Sequence, residues 1–305
     1  MESKFKNWRE RCSSLGHLMT SLPSAEEKLQ TAKDIKSLEN ERDLGINANG
    51  NKVKWTDKKV ETLLKLKEKL SNADELPQGA KSHLDVVFRD VFWKRRRLLH
   101  NKFLDKGNLA EDDGLDLISK LDDTFYIKNK EYLQNDFIHG TPDNIQDKVR
   151  DIKSNWDQET FDKAELSKLY EYQIKGYLWL SKLQEGELCY CLTNNPEHQI
   201  SEAIKTIWFK MGCPEDDSEK YLQARQQIEK NMIYDIQKFK DYYPGYMFEN
   251  SILDFDIPVV CRVKRFGPIY LLPEDIKNIK TRITLARTYL MEKEKEVLTQ
   301  INSAK

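Results

Sequence analysis

Long apolar runs are absent. Nowhere do the 305 residues approach the ~18 consecutive apolar positions that a membrane-spanning helix needs, so no membrane partner is expected. Glycine and proline are scarce, at 12 and 9, and no low-complexity tract or internal repeat interrupts the chain. With 39% hydrophobic and 33% charged residues, the composition excludes wholesale disorder and points to a soluble, helix-rich globular protein. The opening MESKFKNWRERC carries basic residues with no apolar run behind them. A secretory signal is therefore not expected, and the cytoplasm is the default compartment.

Cysteine is equally uninformative as a scaffold. The five residues Cys12, Cys189, Cys191, Cys213 and Cys261 form an odd, scattered set, which fits a reducing compartment and makes a poor disulfide framework. Cys189 and Cys191 lie two apart in a β-like run and share one strand face, where they read as small buried hydrophobes in preference to metal ligands. His17, His83, His100 and His198 show no ligand spacing, so no zinc site is expected; His139 reads as structural. A dominant charge is missing too. The formal net charge of −1 excludes a broad basic field for a polyanion. Two local basic clusters remain, Lys94-Arg95-Arg96-Arg97 with Lys102 and Lys106, and Arg262 with Lys264 and Arg265. Either suits a phosphate track or a solvated face.

A chain of this length can bury one substantial core with an appendage. The reading here is a single domain over 1–305: a helical extension over 1–75, a central core over 76–210 and a C-terminal helical extension over 211–305. Trp55–Leu70 and Ala80–Phe103 carry apolar residues at helical spacing, with a loop at Asn47-Ala48-Asn49-Gly50-Asn51. The centre changes character, since TFYI (124–127), NDFIHG (135–140) and KVRDIKS (148–154) read as short strands between turn signals. One long helix is expected from Phe161 to Leu183, then a strand over GELCYCL (186–192) and helices from Pro196 to Tyr242. Extended chain over 251–266 and a helix from Pro273 to Ile301 close the sequence. That order is α/β, or α+β by order: a small mixed central sheet flanked by helices.

The chemistry starts at Asp151-Ile152-Lys153. On a strand Asp151 and Lys153 share a face while Ile152 enters the core. A carboxylate there can hold a divalent cation, and an ammonium beside it can place a water for phosphodiester hydrolysis. The tripeptide alone is weak, because Asp-Ile-Lys recurs at 34–36 and 275–277. Both of those copies sit in helical surroundings, where positions two apart diverge by about 200°. The middle copy differs in its company. Gly140 and Pro142 bend the chain between two short strands, so that Asp143 lies beside the Asp151 strand of a hairpin. Two such carboxylates repel unless a cation lies between them. Gln173 and Tyr177, four apart on a helix, share a face able to lie over the strands, and Glu111 opens another helix as a third acid.

The order Gly-x-x-x-Glu (107–111), Gly-x-Pro-Asp (140–143), Asp-x-Lys (151–153) and Gln-x-x-x-Tyr (173–177) resembles the PD-(D/E)XK nuclease superfamily. In particular it is similar to the RecB-type, YqaJ-like branch of phage lambda-exonuclease-like enzymes. LPQGAKSHL (76–84), WDQETF (156–161) and YCLTNNP (190–196) extend the likeness. The resemblance implies that Asp143, Asp151 and the Ile152 carbonyl hold Mg²⁺, with Mn²⁺ able to substitute. It makes Glu111 the acid for a second ion, Lys153 the group that polarises the attacking water, Gln173 the orienting amide and Tyr177 its aromatic neighbour. It also implies an exodeoxyribonuclease that acts on double-stranded DNA ends in recombination by single-strand annealing. A single-strand annealing protein and a homo-oligomeric ring enter as partners on that basis. Asp151 departs from the glutamate of the lambda enzyme, a change that touches metal geometry only. Arg11 and Ser14 resemble the Arg/Ser segment that receives a 5′-phosphate, against an ordinary helix cap by Ser13 or Ser14.

Other readings stay open on the sequence. They are a RecB-like, structure-specific or CRISPR-associated iron–sulfur nuclease, or a non-catalytic DNA-binding protein on a nuclease fold. The iron–sulfur form expects four cysteines around a cluster, and Cys213 and Cys261 are too dispersed for it. An electropositive groove leading to Asp143 is the further expectation of duplex processing.

Overall fold

Apolar residues at helical spacing govern the first third of the chain. After a two-residue strand, β1 (Glu10–Arg11), it forms α1 (Cys12–Met19), α2 (Ala25–Leu44), α3 (Asp57–Ser71) and α4 (Gln78–Phe92). Next come α5 (Glu111–Asp122) and three short strands, β2 (Leu133–Gln134), β3 (Ile138–Gly140) and β4 (Val149–Ser154). They are followed by α6 (Gln158–Asp162), α7 (Lys168–Ser181), β5 (Glu185–Cys191), α8 (Glu197–Lys210), α9 (Glu219–Met232) and α10 (Ile236–Tyr242). β6 (Val263–Tyr270) and α11 (Pro273–Ser303) end the order. The computed structural model describes residues 2–19, 25–47, 49–71, 75–96, 106, 110–248 and 256–303. Among these, no helix is long and apolar enough to cross a membrane.

Two compact units result. The first comprises Met1–Arg96, Asn135–Ile138 and Leu272–Lys305. In it α1 packs on α4 and α11, burying Phe5, Leu15, Leu18, Leu84, Phe88, Ile283 and Leu290. α2 and α3 pack together beside the Asn47 loop, where the Asn47 side chain accepts from the N–H groups of Asn49 and Asn51.

The second unit, Arg97–Gln134 and His139–Leu271, is built on the sheet β4-β5-β6. β4 runs parallel to β5, with Asp151 opposite Leu188 and Lys153 opposite Tyr190, and β6 is antiparallel to β5. Helix α5 lies on the Arg150/Ile152 face of β4 and α7 on the Asp151/Lys153 face. Two glycines allow that closeness. A Cβ at Gly114 of α5 would stand 2.6 Å from Ile152 Cγ2, and one at Gly186 of β5 would collide with Ile174 of α7. Glycine in a helix interior costs about 1 kcal/mol relative to alanine; at Gly114 the closer packing against the sheet offsets it. Leu115, Leu117, Ile118, Tyr126, Ile152, Cys189 and Cys191 make the resulting core. The two cysteines thus do serve as small apolar residues. A second core joins Ile200, Met232, Ile233, Ile236 and Phe239 of α8 to α10.

Several sequence expectations change. TFYI (124–127) is not a strand, because side chains satisfy its backbone: Ile127 N–H donates to Gln146 Oε1 and Asn144 Nδ2 donates to the Ile127 carbonyl. The long helix over 161–183 is two helices. Asp157 and Thr160 form a reciprocal capping box that starts α6 early, and Ser167 caps α7 afresh. The helix over 80–103 stops at Phe92, with Lys94 in the left-handed region at φ 53°; 97–103 lie outside the described residues. Extended chain over 251–266 becomes a 3-10 turn at Val259–Cys261 followed by β6; 251–255 lie outside the described residues. The boundary drawn near residue 210 falls within the second unit, since β6 pairs with β5.

Candidate active site

β4 alternates as the sequence requires, and its two faces have different tasks. Asp151 is 1% exposed. Its Oδ1 accepts from Gln173 Nε2 at 2.7 Å, and Gln173 also lies 3.4 Å from the Tyr177 hydroxyl on the next turn of α7. Asp151 Oδ2 sits 2.6 Å from the Lys153 ammonium in a short ion pair and has no other polar partner. The same ammonium lies 5.2 Å from the centre of the Tyr170 ring.

Asp143 arrives by a sparser route than the expected hairpin. β3 pairs with β2, and contact with β4 reduces to one antiparallel bridge, Asn144 with Arg150. From there the Asp143 carboxylate covers the strand edge, its Oδ2 accepting from the Ile152 N–H at 2.6 Å. The N–H and C=O of one strand residue leave on the same edge, so the Ile152 carbonyl faces the Asp143 side as well. Asn129 N–H holds the Asp143 carbonyl from behind at 2.7 Å.

Electrostatics follow from this crowding. Burial pushes the Asp143 carboxyl well above the usual range, the charge of Asp151 adds to it, and Glu111 within hydrogen-bonding reach adds again; Lys153 and the Ile152 N–H oppose. Asp151 is raised by burial, against Lys153. For Lys153 burial works against the charge, yet Asp151 and Asp143 outweigh it and its pKa rises. Glu111 stands at the margin, 3.2 Å from Lys128. Among the described residues no three His, Cys, Asp or Glu side chains converge as a ready cage. What fits a hard divalent cation is the close carboxylate pair, an Asp151 oxygen whose one polar partner is the Lys153 ammonium, and a main-chain carbonyl on the same side.

The remaining expected residues fall elsewhere. Arg11 is exposed at the start of α1 in the first unit. Ser14 is inside that helix, so neither it nor Ser13 is the cap; its hydroxyl donates to Glu10 Oε1 at 2.9 Å. Lys106 does not track phosphates. It is 1% exposed and donates to the Trp156 carbonyl and Asn195 Oδ1, with burial lowering its pKa to about 7. The second basic cluster is also committed to protein: Arg262 to Asp235, Lys264 to the carbonyls ending α6, and Arg265 to Asp122 and Glu187. His139 packs on the Tyr132 ring. Lys94, Arg95 and Arg96 are exposed, while Arg97 and Lys102 lie outside the described residues.

Sequence reasoning missed Arg150 and Glu187, a buried charged pair 2.9 Å apart on the face opposite Asp151. The signal was present. In KVRDIKS the position two before the inward Ile152 must also face inward, and an arginine there demands a buried acid such as the glutamate of GELCYC.

No family model matches the chain, and no curated protein matches it. Solved structures do. A phage related exonuclease from Haemophilus somnus 129PT aligns over 95% of this chain and 97% of its own, at 18% identity and TM-score 0.56. An alkaline exonuclease from Laribacter hongkongensis aligns over 77% of this chain and 91% of its own, at 9% identity and TM-score 0.45. The chain therefore has an exonuclease-type mixed α/β fold, in line with the resemblance read from its motifs.

Proposed function

We propose that the protein is a divalent-metal-dependent deoxyribonuclease that degrades linear duplex DNA from its ends. The observation that carries this is the Asp143–Asp151 pair, brought together by two chain segments with the Lys153 ammonium 2.6 Å from an Asp151 oxygen. The fold of a phage related exonuclease supports the choice of substrate.

Asp143, Asp151 and the Ile152 carbonyl would hold Mg²⁺ or Mn²⁺. When bound, the ion supplies Lewis-acid polarisation of a phosphate oxygen and acidifies water. Lys153 directs a water toward phosphorus and offsets charge developing on the phosphate oxygens. Gln173 keeps Asp151 turned to present Oδ2, with Tyr177 behind it. Glu111 would serve a second ion, at the expense of its pairing with Lys128. Of the proposed 5′-phosphate pair, Arg11 has the freer side chain, while Ser14 must release Glu10 before it can donate. A single-strand annealing protein and a ring-forming homo-oligomer are the partners this role would use.

The test is hydrolysis of linear duplex DNA with Mg²⁺ by wild type, Asp151→Ala and Lys153→Ala. Digestion by wild type and its loss in both variants is expected. A wild type that digests nothing, or variants that digest as fast, would overturn the assignment. Comparing 5′-phosphorylated, 5′-hydroxyl and circular duplexes then reads end dependence and the part of Arg11.

A further inference from the structure

Asp143 and Asp151 belong to segments that are barely joined through the main chain. Their direct links are the Asn144–Arg150 bridge and the Ile152 N–H donated to Asp143. Two carboxylates that repel each other need more than this to stay together without a cation.

The side chain of Arg150 supplies it. This arginine is 1% exposed and projects to the face opposite Asp151. Its Nε donates to Glu187 Oε1 of β5 at 2.9 Å, and one terminal nitrogen donates to Asn144 Oδ1 at 3.0 Å and to Asp147 Oδ1 at 2.5 Å. The other donates to Asp147 Oδ2 at 3.0 Å and to the Tyr126 hydroxyl at 3.1 Å, and the guanidinium lies 4.0 Å from the Tyr126 ring centre. Asn144 and Asp147 lie in the loop that follows Asp143; Glu187 lies in the central strand. One planar fork therefore fastens the Asp143 loop to the sheet that carries Asp151. Asn144 extends the clamp, its Nδ2 reaching the Ile127 carbonyl and Gln146 Oε1.

We propose that Arg150 is a positioning residue that sets divalent-ion affinity by holding the Asp143 loop against β4. The proposal rests on the cation-site reading above. With the clamp intact the carboxylates are preorganised, and the ion need not assemble them. With it weakened they relax apart, and affinity falls while the saturated site keeps its chemistry. Lysine cannot substitute, because one ammonium cannot meet acceptors on four residues spread around a planar fork.

The experiment titrates Mn²⁺ alone into the full-length chain, reading free Mn²⁺ by electron paramagnetic resonance, with circular dichroism to check folding. Asp151→Ala should abolish binding. Arg150→Lys should weaken it about tenfold or more, in the range of other partners that orient metal ligands, and Asp147→Asn by less, about threefold, because the other Arg150 bonds remain. DNA hydrolysis at saturating Mn²⁺ should stay within about threefold of wild type in both, because the ligands themselves are intact. Folded variants that bind Mn²⁺ like wild type would overturn the proposal and leave the nuclease reading standing. Should Arg150→Lys not fold, Asp147→Asn decides, since its side chain is 61% exposed and leaves no cavity. A wild type that binds no Mn²⁺, or Asp151→Ala binding as tightly, removes the cation site and this proposal with it.

Discussion

The same three residues, Asp-Ile-Lys, occur on a strand at 151–153 and on helices at 34–36 and 275–277, and they do different things. In α2 Asp34 accepts from Gln30 one turn earlier and Lys36 points to solvent. In α11 Asp275 is the third helical residue and reaches back to the Leu272 N–H at 3.0 Å, an acid closing the first turn. On β4 the two-residue repeat brings Asp151 and Lys153 to 2.6 Å within a buried site. Backbone period decides whether the tripeptide is a solvated surface stretch, a cap or part of a buried charged cluster.

That comparison breaks most visibly in activity. Asp151→Ala or Lys153→Ala should cut hydrolysis of linear duplex DNA by about 10³-fold, the scale of losing one charge-stabilising group. Asp34→Ala and Lys36→Ala should leave the rate unchanged. Equal losses at both places would mean that the assay reports on something other than β4.

Stability should show the opposite ordering. The Asp143 and Asp151 pKa values are raised, so the folded chain holds protons that the unfolded chain releases. Without divalent ions, stability should therefore fall as pH climbs from the ordinary carboxylate range toward the raised values. Asp151→Asn removes its own share of that slope, leaves the part due to Asp143 burial, and should raise stability at neutral pH by about 1–3 kcal/mol while abolishing activity. Melting curves from pH 4 to 8 with chelator check this; a variant less stable than wild type across that range would sink it. Mg²⁺ should stabilise wild type and not the variant.

Smaller effects separate the two helical copies. Asp275→Ala should cost about 1 kcal/mol through the lost Leu272 bond, read by denaturant unfolding, with nuclease activity intact. Asp34→Ala should stay within about 0.5 kcal/mol of wild type, as for other surface positions. If the two variants were indistinguishable, Asp275 would not act as a cap.

What could be read in advance follows the same line. Strand alternation made Asp151 and Lys153 visible, and four-residue spacing made Gln173 and Tyr177 visible, because both depend on local period. The placing of Asp143 was legible only in outline. A loop carboxylate bonded to one main-chain N–H leaves no periodic trace. TFYI misled because Phe125 and Ile127 alternate with Tyr126 like a strand, yet are 78% and 59% exposed and served by Gln146 and Asn144. The α6–α7 break turned on Ser167, a cap hidden inside an otherwise helical pattern.

β4 is one of the two outer strands of its sheet. A bare outer strand is a template on which a second chain can pair and aggregate. Here the Arg150 N–H and carbonyl are engaged by the Asn144 bridge and the Ile152 N–H by a carboxylate. The acid proposed as a ligand thus also covers the outer edge of the strand. Asp143→Ala should therefore aggregate more readily than Asp151→Ala, because the Asp151 side chain lies on the face of the strand.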